Sequence, residues 1–249
     1  MQVGFPVPNF SPAAADPCFC RSGLAFSECC GSNAPDRKLP AGVQVFEGFV
    51  DAGTCRKWVA RLEQQPRQRT TITDVNQSPG RAPVARPDPS RVCDDVAPGV
   101  LRKKIDETVL AGFARGAQIT GRGLAWFETP RILRYQPGGF YQRHADSCQV
   151  YQHLNAWYKV RDRDLSLLLY LNEDFTGGGL TFIHFKYHYR PRIGDLLVFP
   201  SDNRYEHQAE KVTSGFRYAV VSWAAYTGGQ RVFAQPPKGA IPVSALAAR

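Results

Sequence analysis

Four residues could do metal chemistry together. His144 and Asp146 stand two apart in RYQPGGFYQRHAD (134–146), and His207 and Arg217 stand ten apart in HQAEKVTSGFR (207–217). Side chains at i and i+2 of a strand point to the same face, so His144 and Asp146 can aim at one point. With His207 they make two imidazoles and one carboxylate. That is the donor set that holds non-haem iron(II) and leaves three positions open for substrate chemistry. Arg217 adds a guanidinium, which grips a carboxylate bidentately where a lysine acts as a point charge.

A second group of possible ligands lies near the start, in PCFCRSGLAFSECCG (17–31). Cys18, Cys20, Cys29 and Cys30 could close a tetrahedral zinc site with no open position. A segment this short cannot bury a core unaided, so the metal would supply its folding energy. Two disulfides are the alternative, although the adjacent Cys29 and Cys30 pair poorly with each other. The stretch resembles the SEC-C motif, C-x-C-x-S-G followed by C-C, through Cys18, Cys20, Ser22, Gly23, Cys29 and Cys30. That resemblance covers about 15 residues. It implies a zinc-held docking module of residues 1–34, with protein partners of the kind found in translation or export machinery.

These groups must be positioned by the rest of the chain. Residues 33–42, NAPDRKLPAG, read as a linker. A helix capped by Asp51 is expected to run to about Gln65, with Cys55, Val59 and Leu62 on its inner face and Pro66 stopping it. Residues 67–93 are rich in Pro and Arg and read as a loop, with one strand near Thr70–Val75. Such a loop is either a flap over a site or a surface insertion. A second helix is expected over Val96–Thr120, with Val100, Leu101, Ile105, Val109, Leu110 and Phe113 as its apolar stripe. From Leu124 onward come short strands: LAWFETP, RILRYQP, FYQRHAD, WYKVR, LSLLLYLN, LTFIHF, YHYRP, GDLLVFP, YEHQA and RYAVVSWAAY. Many strands without intervening helices predict an antiparallel sandwich or barrel buttressed by two helices, an α+β content around a β core.

In order and spacing, RYQPGGFYQRHAD, LLYLNEDFTGGGLTF, GDLLVFPSDNRYEH and VTSGFRYAVVSWAAY resemble the prolyl 4-hydroxylase-like iron(II) and 2-oxoglutarate-dependent dioxygenases. VFEGFVDAGTCRKWVARLE resembles their opening helix, so coverage runs from about 43 to 226. The resemblance implies a double-stranded β-helix (jelly roll) core over about 124–226, within a dioxygenase domain spanning 43–249. It implies iron ligation by His144, Asp146 and His207, and a grip by Arg217 on the distal carboxylate of 2-oxoglutarate. Tyr135 and Tyr170 would hydrogen-bond the same cosubstrate, and Trp223 would pack beside the pocket. Ascorbate is a candidate accessory reductant. His153, His184 and His188 fall outside these positions and are expected to be ordinary strand or loop residues. Cys148 is expected to be structural, and Gly177–Gly179 to form a turn.

The implied reaction is C–H hydroxylation with release of succinate and CO2, on a prolyl or other side chain of a protein or peptide. A free amino acid or other small metabolite, a non-catalytic adaptor and, more weakly, a nucleic acid are the competing readings. Composition bears on partners. The 249 residues carry 31 Lys+Arg against 22 Asp+Glu, a net charge of +9. That suits either an acidic partner or simply a basic surface. No apolar run approaches the roughly 20 residues of a membrane span, and the first residues lack the basic and apolar regions of a secretory signal. Seven cysteines, four of them clustered, favour a reducing, cytoplasmic setting.

Overall fold

A computed structural model describes residues 4–20, 22–32, 39–74 and 84–244. Two antiparallel sheets pack face to face. The larger runs, in spatial order, through Gln44–Phe46, Leu196–Pro200, Leu165–Tyr170, Arg217–Tyr226, Arg131–Tyr135, Asp94–Val96 and Arg67–Arg69. The smaller runs through Tyr187–Tyr189, Leu180–Phe182, His207–Ala209, Phe140–His144 and Arg91–Val92. The strand segments expected from the sequence all contain strands, and all but WYKVR lie in these two sheets; Ala156–Lys159 instead pairs with Phe5–Val7 and Cys148–Tyr151 in a separate three-stranded sheet.

Alternation explains why the larger sheet is apolar throughout. Along Arg217–Tyr226, Tyr218, Val220 and Ala224 join the core beneath the helices. Ala219, Val221 and Trp223 point the other way, into the space between the sheets. Both faces are covered, so every residue of this strand is buried.

Helix α1 spans Ala52–Leu62, and the Asp51 carboxylate accepts the Thr54 N–H at 2.8 Å, as an N-cap should. It ends three residues before the expected Gln65. Trp58 is buried beside Cys55 and Leu62, while Val59 is only half-buried. Helix α2 spans Arg102–Thr120, and Gly121 closes it in the left-handed region with φ of 66°. Val100 is not core: it is 81% exposed, because Gly99–Leu101 form a separate 3-10 turn ahead of the helix. α2 lies close on the sheet at two glycines one turn apart. A Cβ on Gly112 would stand 2.6 Å from Leu196 Cδ1, and one on Gly116 would stand 2.7 Å from Val198 Cγ1.

The Pro- and Arg-rich segment is more ordered than its composition suggested. It holds strands at Arg67–Arg69, Thr71–Asp74, Val84–Pro87 and Arg91–Val92. The loop read as a flap or a surface insertion falls partly at 75–83, and most of the linker at 33–38; both lie outside the described residues. Thr71–Asp74 is the strand expected near Thr70–Val75, and sequence periodicity missed the other three because each is at most four residues long. No described helix is long and apolar enough to cross a membrane.

The cysteine segment does not stand apart from the sandwich. Cys18, Phe26 and Cys30 share one apolar cluster with Tyr170, Phe182, Phe185 and Tyr205. Phe10 bridges the two parts, with its ring centroid 5.5 Å from Phe19 and 6.2 Å from Phe185.

Candidate metal centre and cosubstrate cavity

The two histidines meet through strand register. His144, last residue of Phe140–His144, pairs across the smaller sheet with His207, first residue of His207–Ala209. Their rings lie 4.3 Å apart. Asp146 follows just past the strand end, so its carboxylate returns to the same point. Its oxygens lie 3.6 Å from His144 Nε2 and 3.8 Å from His207 Nε2.

Main-chain carbonyls set the direction of both rings. His144 Nδ1 donates to the Gln142 carbonyl at 2.8 Å, and His207 Nδ1 donates to the Tyr205 carbonyl at 2.9 Å. A carbonyl only accepts, so each Nδ1 carries the proton and each Nε2 keeps its lone pair for a metal. Burial, aided by the neighbouring His144, pulls the His207 imidazole down to about 4, so it is neutral at physiological pH. Burial opposes the charge on Asp146, but His207, His144 and Arg163 outweigh it and hold the carboxyl well below its usual range. The Ser166 hydroxyl donates to Asp146 Oδ2 at 2.7 Å and also meets the Ser201 hydroxyl at 2.8 Å. All three candidate ligand atoms fall within 4.8 Å of one another, a fit for one ion held by two nitrogens and one oxygen.

The larger sheet supplies the opposite wall of the cavity. Arg217, Tyr135, Tyr170 and Trp223 line the same space as the three candidate ligands. Arg217 is 2% exposed and opposite Tyr135 in register, its guanidinium 3.9 Å above that ring. It donates to the Gly178 carbonyl at 2.6 Å. Gly177 and Gly178 take left-handed φ of 68° and 63°, where Thr176–Gly177 pairs irregularly with Val212–Ser214 rather than in the expected turn. Two buried polar atoms here have no partner among the described residues, Arg217 Nε and the Tyr170 hydroxyl. A buried donor left unpaired costs about 1–3 kcal/mol, so such a pair marks a place for an acceptor. Both suit a carboxylate.

Several residues of the site are not obvious from the sequence. Tyr141 stacks on His144 at 3.6 Å. Arg91 lies over Tyr141 at 4.9 Å and lines the cavity. Glu206 binds Arg143 and, at 2.8 Å, His184. Burial opposes its charge, yet the hydrogen bonds from His184 and Arg143 and the charge of Arg143 draw it down to about 2. Ser166 alone carried a signal, as a lone hydroxyl inside the apolar run LSLLLY that must find a partner when buried. His184 and His188 pair with glutamates, and Cys148 is buried away from the cavity.

The four clustered thiols also converge, within 4.8 Å of one another. Cys20 Sγ lies 3.3 Å from Cys18 Sγ and 3.4 Å from Cys29 Sγ. Zinc–sulfur bonds of about 2.3 Å place tetrahedral sulfurs roughly 3.8 Å apart, so the cluster is near that size. Hydrogen bonding, from Ser22 above all, draws the Cys20 thiol down to about 6, toward the thiolate a metal needs. All seven cysteines are free thiols.

Comparison with known proteins agrees with this geometry. Residues 130–225 match the family model of the 2OG-Fe(II) oxygenase superfamily, a stretch containing the triad and Arg217. Residues 15–32 match the SEC-C motif. The chain is 34% identical over 100 residues to a PKHD-type hydroxylase of Hyphomonas neptunium, covering 38% of this chain and 42% of that protein. It is 34% identical over 89 residues to prolyl 3-hydroxylase 2 of Homo sapiens, covering 32% of this chain and 13% of that protein. The aligned stretch thus spans less than half the length of either relative. Among solved structures, a Trichoplax adhaerens prolyl hydroxylase in complex with a hypoxia inducible factor peptide fragment superposes with a TM-score of 0.54 at 18% identity, covering 74% of this chain and 83% of that one. The viral collagen prolyl hydroxylase of Paramecium Bursaria Chlorella virus-1 gives 0.51 at 16% identity, covering 74% and 96%. These two establish a shared fold over about three quarters of the chain.

Proposed function

We propose that this chain is an Fe(II)- and 2-oxoglutarate-dependent dioxygenase that hydroxylates a C–H bond, on a prolyl side chain of a protein or peptide. The observation that carries the reading is one cavity with three convergent metal donors on one wall and two unpaired carboxylate-binding groups on the other. Bound iron would supply oxygen activation coupled to oxidative decarboxylation, so that 2-oxoglutarate, O2 and R–H become succinate, CO2 and R–OH.

The chain's own residues do the rest. His144, Asp146 and His207 hold the ion, with Ser166 orienting Asp146. Arg217 and Tyr170 bind the distal carboxylate of 2-oxoglutarate. Tyr135 lies beneath the Arg217 guanidinium, its ring centre 3.9 Å away, and supports it. Trp223, Leu168 and Val221 keep the cavity apolar. The prolyl preference is supported by the relatives named as prolyl hydroxylases.

Residues 1–34 form the second part of this proposal, a module that holds zinc through Cys18, Cys20, Cys29 and Cys30 and docks a macromolecular, translation-associated partner. The SEC-C resemblance supports that reading, and the free thiols are in keeping with a reducing, cytoplasmic setting.

The test is anaerobic binding of Fe(II) and 2-oxoglutarate to the full chain, then succinate release on admitting oxygen. We expect one equivalent of each to bind and His144→Ala to abolish succinate formation. Well-folded protein that binds neither would end the oxygenase reading.

A further inference from the structure

A groove of about 550 Å³ opens beside the candidate iron cavity, walled by Trp126, Glu128, Arg161, Phe233, Pro236 and Pro237. Its outer wall comes from residues beyond 225, outside the stretch that matches the oxygenase family. One ion pair separates the groove from the cavity. Glu128 accepts two N–H bonds from Arg163, at 2.5 and 2.8 Å. The Arg163 guanidinium lies 3.6 Å above the Trp223 ring and donates to the Asp146 main-chain carbonyl at 3.2 Å. Trp223 and Asp146 in turn line the cavity. The groove and the cavity are thus neighbours across this one pair.

The groove's own chemistry says what an extended chain bound there should carry. Phe233 is 46% exposed and, with Pro236 and Pro237, offers a flat apolar surface. The segment is pinned in place, since Asp162 accepts the Val232 and Phe233 N–H groups at 2.6 and 3.0 Å. That use removes Asp162 as a partner for its neighbour Arg161, as Arg163 removes Glu128. The Arg161 guanidinium has no hydrogen bond or ion pair among the described residues. A free cation beside an aromatic and prolyl surface is complementary to an acidic side chain next to an apolar one.

We propose that this groove binds the substrate chain next to the hydroxylated residue, and selects an acidic residue through Arg161 and an apolar one through Phe233, Pro236 and Pro237. This rests on the reading of the chain as a peptide hydroxylase.

The experiment uses the full chain loaded anaerobically with Fe(II) and 2-oxoglutarate, with fluorescence anisotropy on labelled synthetic peptides. Each peptide carries one central proline flanked, on one side or the other, by Asp-Leu, Lys-Leu or Asp-Ser. The Asp-Leu peptide should bind about tenfold more tightly than the Lys-Leu peptide. Arg161→Glu should invert that order, and Phe233→Ser should erase the preference for Leu over Ser. Equal affinity for Asp and Lys flanks, or an Arg161→Glu variant with the native preference, overturns the groove and leaves the oxygenase reading intact. Failure of the native chain to take up Fe(II) and 2-oxoglutarate overturns both.

Discussion

Ser166 is neither a candidate ligand nor part of the cavity wall, yet its hydroxyl occupies Asp146 Oδ2 and leaves Oδ1 the freer to ligate. Removing a hydrogen bond to a ligand typically costs 10- to 100-fold in metal affinity. Ser166→Ala should therefore weaken iron binding by roughly that factor with little change in 2-oxoglutarate affinity of the loaded protein, as anaerobic titration would show. Arg217→Lys should do the reverse. It keeps a point charge but loses the planar fork, so 2-oxoglutarate should weaken on the order of tenfold while iron still binds.

Asp164 gives a test by pH. Burial opposes its charge, but Lys159 at 2.7 Å, the Tyr226 N–H at 2.8 Å and Arg231 hold the carboxyl below its ordinary range. A depressed folded pKa means the unfolded chain takes up protons first as pH falls. The contribution is thus whole above about pH 4 and is lost below it. Asp164→Asn should be less stable than the native chain at neutral pH and lose less stability on acidification, read by urea unfolding at several pH values.

At the scale of elements, the close seating of α2 on the larger sheet depends on the missing side chains of Gly112 and Gly116. Val198 is fully packed and stiff at χ1, so it cannot retreat from a new Cβ at 2.7 Å. Gly116→Val should cost about 1–3 kcal/mol of stability by overpacking. The same face of the sheet carries Leu165, Leu167 and Leu169, and the opposite face of that strand carries Ser166 and Tyr170. A shift of α2 therefore reaches the site through a single strand, and a lowered urea midpoint should accompany any loss of cosubstrate affinity in this variant.

Across the whole molecule, the cysteine segment and the β-sandwich share one core. Phe185 contacts Phe10 and Phe19 on one side and Tyr205 on the other, two residues before His207. Phe185→Ala should cost about 3–5 kcal/mol, the usual range for a buried phenylalanine. Because the cluster is shared, calorimetry of the full chain should show one transition, and stripping metal from the thiols should lower its midpoint. A separate low-temperature transition with an unchanged main peak would show that the two parts unfold independently.

By itself the sequence determined the donor set and the core of the candidate site. Two imidazoles, one carboxylate and one guanidinium in a fixed order are chemically specific, and alternation placed the two imidazoles and the guanidinium on strands, with Asp146 just past a strand end. Those signals are local, so they survive without coordinates. What only the tertiary structure decided depends on register between strands far apart in the chain. The His144–His207 pairing, the approach of Ser166 to Asp146, and Arg91 over Tyr141 join residues whose spacing carries no periodic signal. The exposed Val100 was misjudged because its hydrophobicity fitted the helical stripe, whereas a 3-10 turn rotated it away. The groove beside the cavity was hidden for the same reason. It exists because Asp162 accepts the N–H groups of Val232 and Phe233, seventy residues along the chain, and no local pattern encodes that contact.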